Sequence, residues 1–168
     1  MMDSGREFSV STPRSAEREL MAGLGVTLER DPLADLIPRL DGSLWIAPAR
    51  RRAQDPSSGL VAGQATLDLD RDGWLVGVTV LEEPRFWERG PIGYELPGRA
   101  SPHRLRILGE PATTAAVLRL DPSRRLWALV LAAAVAPQVV ALGPRSFAAL
   151  DGGRLAALLA DLRGFGRI

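Results

Sequence analysis

Asp68, Asp70 and Asp72, followed by Gly73, put carboxylates at positions one, three and five of a loop with glycine at six, as in the opening half of a calcium-binding EF-hand. Position nine is Val76 and position twelve is Thr79, where a bidentate glutamate is needed, so the run reads as the bend of a hairpin and no metal site is expected. His103 is the only histidine and there is no cysteine, which removes thiol chemistry, disulfides and Cys/His zinc sites and leaves a Ser-His-Asp triad little to build on. Adjacent Glu82 and Glu83 fit solvated charges at a strand end better than an acid–base pair. Gly143-Pro-Arg-Ser146 lacks the lysine and spacing of a phosphate loop, and no cofactor is expected. Two clusters remain. Arg50, Arg51 and Arg52 form the one local basic run able to hold an anion. Arg85, Phe86, Trp87 and Arg89 combine the residue types that dominate protein–protein contacts, although the aromatics could equally plug a core.

These residues need elements to position them. The clearest spans 65–81: Leu67 and Leu69 alternate with polar residues, Asp70-Arg71-Asp72-Gly73 supplies a turn whose glycine tolerates positive φ, and a second arm carries Trp74, Val76, Val78 and Val80 on one face and Leu75, Gly77, Thr79 and Leu81 on the other. Apolar groups on both faces of that arm predict a strand inside a sheet with something packed on each side. Further strands are expected at 26–28, 43–47, 105–108, 113–120 and 139–142. Helices are expected over 12–22, capped by Thr12 with Pro13 at the first position, and near 31–37, where Asp31-Pro32 repeats that signal. Alanine content tips the ambiguous stretch 122–135 towards helix. The last expected helix runs from Asp151 as cap through Leu155, Leu158, Leu159 and Leu162 to Gly164. Residues 1–11 are read as a loose end. The proline- and glycine-rich stretch 84–103 is either a linker between halves 12–83 and 104–168 or an ordered loop over the core, and Ile92 and Tyr94 favour the loop. Asp41-Gly-Ser-Leu-Trp45 faintly echoes Asp121-Pro-Ser-Arg-Arg-Leu-Trp127.

A chain of 168 residues, 46% hydrophobic and 24% charged, is enough for one ordinary domain with a real core. Every one of its 21 basic residues is arginine, and the net charge of +1 predicts no bulk attraction to nucleic acid or membrane. The start of the chain has no apolar segment of the secretory type, and the apolar run 126–142 contains Pro137 and Gln138, so the expected setting is cytoplasmic and membrane-free.

The segment 68–81, with Ser43-Leu-Trp-Ile46 upstream, resembles a family of small bacterial β-domains of unknown function, whose strand runs through an Asp-x-Asp-Gly turn into Leu-Val-Gly-Ile/Val-x-Ile/Val-Leu. The likeness covers about residues 40–82, implies a β-rich fold there, and carries no catalytic residues. Together these features predict a single α+β domain over 12–168, a mainly antiparallel sheet with the C-terminal and N-terminal helices packed on it. The leading functional expectation is a non-enzymatic binding or accessory protein that works through protein contacts or self-association as a homodimer. The alternative is an enzyme or small-molecule binder with a carboxylate and arginine site near the 65–81 hairpin and the 84–103 loop. A concave pocket holding Asp or Glu beside Arg would favour the alternative.

Overall fold

Four times the chain writes Leu-Asp where a strand must reverse, at Leu40-Asp41, Leu69-Asp70, Leu120-Asp121 and Leu150-Asp151, and each pair opens a hairpin turn. The aspartate ends the apolar alternation and can accept hydrogen bonds from backbone N–H groups one to four residues on. A computed structural model describes residues 23–49, 58–99, 101–109, 113–134, 137–166 and 168. Among them the elements are β1 (Leu24–Arg30), β2 (Leu36–Asp41), β3 (Ser43–Pro48), β4 (Ser58–Ala62), β5 (Ala65–Leu69), β6 (Leu75–Val80), a 3-10 turn (Pro84–Phe86), β7 (Glu88–Arg89), β8 (His103–Ile107), β9 (Thr113–Thr114), β10 (Val117–Asp121), β11 (Leu126–Val130), β12 (Gln138–Ala141), β13 (Ser146–Asp151) and β14 (Arg154–Asp161).

The fold is therefore β, not α+β. The described residues contain no α-helix, and the expected C-terminal helix is the longest strand, β14. The 12–22 helix and the 1–11 end lie outside the described residues, as do Arg50, Arg51 and Arg52. Asp31-Pro32 opens a turn before β2, and 122–135 holds the turn into β11. Among the described residues no helix is long and apolar enough to cross a membrane.

Two sheets share one core. The first runs β12-β13-β14-β11-β10-β7, with β1 continuing the β11 edge along the start of β14 and then pairing with β8; the second runs β2-β3-β6-β5-β4-β9. Inward residues from both sheets, among them Leu44, Leu60, Leu67 and Val78 on one side and Trp127, Leu129, Leu158 and Leu162 on the other, form a single buried cluster, the packing of a β-sandwich. Pairing is antiparallel except at β7–β10 and β4–β9.

Bulges decide which side chains face in. Leu69 pairs with Leu75 and Asp68 with Gly77, so Val76 is the extra residue, and Leu75 joins Val78 and Val80 on the buried face although it is three positions from Val78. The simple alternation predicted for that arm thus breaks at Val76. A second bulge, at Ala156, lets Leu155 share the inner face with Leu158 and Leu162.

The outer face of the first sheet is also buried. Residues 90–99 cross it as an extended strap whose Ile92, Tyr94 and Leu96 turn inward while Pro91, Gly93 and Glu95 face out, and they pack with Ala128, Phe147, Ala149, Ala157 and Leu159. The β10–β11 turn fixes this strap by both backbone groups of one residue: Ile92 N–H donates to Asp121 Oδ2 at 3.1 Å, and Arg124 donates to the Ile92 carbonyl. With both faces covered, β14 needs no polar face, and every residue from Leu155 to Leu162 is buried.

Candidate functional site

Where the two sheets meet at one end, three pieces converge. The β1–β8 ribbon ends at the pair Arg30–His103, with Asp31 N–H donating to the Pro102 carbonyl at 3.0 Å. The 65–81 hairpin tip docks on the same ribbon through the bridge Trp74–Arg106 and through Ile107 N–H to the Gly73 carbonyl at 2.9 Å. The β1–β2 loop crosses between them and leads to Leu36, opposite Pro48. Together they enclose a cleft of about 310 Å³, lined by Asp31, Leu33, Ala34, Asp35, Leu36, Pro48, Asp70, Trp74, Leu75, Val76, His103 and Arg104. That is the small end of the range for ligand pockets, roughly 300–1,000 Å³.

Local chemistry holds the polar groups rigid. Asp31 Oδ1 accepts from Leu33 N–H at 3.0 Å, and Asp70 Oδ1 accepts from the N–H groups of Asp72 and Trp74 at 2.9 and 3.0 Å. The Arg104 guanidinium lies 4.0 Å from the Trp74 ring centroid and pairs with Glu29 at 3.0 Å. His103 Nδ1 is buried without a hydrogen-bond partner.

The residues singled out from sequence fall in different places. Asp70 and His103 meet at the cleft, whereas Asp68 stands on the outward face of β5 between Gly59 and Gly77, which pair with it on the neighbouring strands. Burial raises the Asp68 pKa, and the hydrogen bond from the Thr79 hydroxyl opposes that rise. Asp72 is exposed at the turn, and among the described residues no three His, Asp or Glu side chains gather closely enough to share a metal ion.

The aromatic cluster splits. Trp87, only 3% exposed, packs beside Trp127 with centroids 6.3 Å apart and donates its indole N–H to the Glu82 carbonyl at 2.9 Å, so it belongs to the core. Phe86 is 60% exposed beneath the Arg85 guanidinium, Arg85 pairs with Glu83, and Arg89 is exposed on β7.

A larger recess of about 620 Å³ at the opposite turns is lined by Arg124, Arg125, Arg163, Glu95 and Asp161, but its cations are already engaged. Arg124 holds the strap, Arg125 donates to the Leu162, Phe165 and Gly166 carbonyls, and Arg163 forks onto Asp161. At Asp161 burial works against the charged form, and the hydrogen bonds and charge of Arg163 outweigh it, so its pKa is lowered. This recess braces the chain end. The seam cleft, which joins an aromatic wall to carboxylates, is the better candidate.

Asp31, Asp35, Trp74 and Arg104 escaped the sequence reading because the cleft joins segments up to 73 positions apart, from Asp31 to Arg104, and no local spacing marks such a site. Compared with known proteins, the chain matches no family model and no curated protein.

Proposed function

We propose that this chain is a non-enzymatic binding domain that takes a small ligand in the seam cleft. The observation that carries the reading is the concavity itself, which is lined by Asp31, Asp35, Asp70 and Arg104 together with Trp74, Leu36, Leu75 and Val76. Binding is favoured over catalysis because Nδ1 of His103, the one imidazole in the chain, has no hydrogen-bond partner among the described residues to orient the ring as a base. The absence of cysteine in the whole chain agrees with a reducing, cytoplasmic setting.

A ligand-observed NMR screen of the chain against a fragment collection tests the reading, with Ala34→Arg as the blocked control. Ala34 lies on the loop at the cleft wall, so the longer side chain should fill the space and leave the melting temperature within a few degrees. Hits lost in the variant are expected; an identical hit set in both proteins, or none in either, overturns the proposal.

A second reading, docking of a protein partner or a second copy, draws on two large apolar side chains left in solvent, Leu81 at 61% and Phe86 at 60% exposure.

A further inference from the structure

We infer that two copies of this chain pair through the outer faces of their second sheets; the inference uses neither the seam cleft nor Phe86, and takes only Leu81 from the second reading above. Among the described residues the strap covers the outer face of the first sheet, while that of the second is open. The register sets Arg39, Trp45, Thr79, Thr66 and Val61 side by side in one row across β2, β3, β6, β5 and β4, and all but Thr66 are exposed. Leu81, one step past β6, falls on the same side as Thr79. Trp45, Val61 and Leu81 are three of the six large apolar side chains that the described residues leave in solvent, gathered on one face.

That face is self-complementary. On one side of β6 the Arg39 guanidinium lies 5.9 Å from the Trp45 ring centroid, and the described residues give it no carboxylate partner. On the other side Asp68 stands partly buried between Gly59 and Gly77, its Oδ2 accepting from the Thr79 hydroxyl, and no described cation pairs with it. The glycines keep the carboxylate open, since a Cβ at Gly77 would lie 3.3 Å from Asp68 Oδ2. A two-fold axis along β6 lays β3 over β5 and β2 over β4 of the other copy, and so brings each Trp45–Arg39 pair to the opposing Asp68. An acidic or a basic partner would satisfy one of the two charges and oppose the other, whereas a second copy satisfies both. The net charge of +1 sets little long-range repulsion between copies. Five strands about 4.8 Å apart and roughly 17 Å long give about 400 Å² per copy, about half of one partner's share in a standard interface, so the dimer is weak and reversible.

The test is sedimentation equilibrium of the full chain from micromolar to millimolar concentration. Wild type is expected to dimerise with a Kd of roughly 10–100 µM. Arg39→Asp and Asp68→Arg should each weaken association at least about tenfold by setting like charges against each other, and an equal mixture of the two should regain it, because opposite charges then meet at both contacts. If Asp68→Arg does not fold, Trp45→Ser at an exposed position takes its place beside Arg39→Asp and should also weaken association about tenfold. Wild type that stays monomeric throughout overturns the inference and leaves the cleft reading untouched. Association that the variants leave unchanged, or that the mixture of the two weakened charge variants fails to regain, overturns it while leaving the second reading, with its contact elsewhere on the surface.

Discussion

At the scale of single residues, Asp121 ties a turn to the strap. Its carboxylate accepts from Ile92 N–H, from the Ser123 hydroxyl and from the N–H groups of Ser123 and Arg124. These bonds, the one from Ile92 foremost, hold its pKa below the ordinary value of 3.8. A lowered folded-state pKa means that the stabilisation is complete above the unfolded value and fades as pH falls from there through the folded one. In Asp121→Asn an NH₂ group must replace one accepting oxygen. The variant should therefore melt below wild type by a constant margin above about pH 5, and the margin should narrow under acid conditions below 3.8. Thermal melts followed by circular dichroism between pH 2 and 7 check this, and a margin independent of pH would contradict it. This aspartate, like Asp151, offered the same local signal as a helix cap, because both a cap and a hairpin turn use a short side chain that accepts from backbone N–H groups. At Asp70 the following Gly73, with φ of +89°, made the hairpin legible.

Among the elements, β14 shows why periodicity misled. Leu155, Leu158, Leu159 and Leu162 match a helical stripe, yet Ala156, Ala157 and Ala160 fill the gaps, and within 155–162 only Asp161 is polar. A helix lying on a sheet needs a polar face, whereas a strand covered on both sides does not, and the absence of that face was the signal for a strand. The bulge at Ala156 completes the mimicry by putting Leu155 and Leu158 on one side. The other side depends on the strap, so Ile92→Ala should cost about 2 kcal/mol in urea unfolding, the low end for removing a buried aliphatic side chain. Amide hydrogen exchange in 90–99 should rise well before that in β14, since the strap can lift while the sheet stays paired. Equal protection of both segments would show that strap and sheet open together. The hairpin β5–β6 was legible because its turn and its alternation agree; only the bulge at Val76 was hidden, since nothing in Leu-Val-Gly-Val marks an extra residue. The faint echo noted between 41–45 and 121–127 falls on two hairpin turns, β2–β3 and β10–β11.

Over the whole molecule, strand exchange ties the halves together: β1 joins the sheet built mostly from the second half, and β9 joins the sheet built from the first. The sheets also touch where Leu36 N–H donates to the Leu142 carbonyl at 3.2 Å, beside Gly143, where any Cβ would collide with the Leu36 backbone. The seam cleft is a product of this arrangement, since its walls come from β2, β3, β6, β8 and the β1–β2 and β5–β6 loops. Distant pairings of that kind leave no trace in local spacing, which is why chemistry-bearing residues were legible singly and the site was not. The most direct measurement is a crystal structure of the chain soaked with a fragment that binds in the solution screen. The account predicts the fragment in the seam cleft, with its apolar part against Trp74 and Val76. Bound ligand found elsewhere with the cleft empty, or Leu33 and Val76 closed onto each other across it, would contradict it.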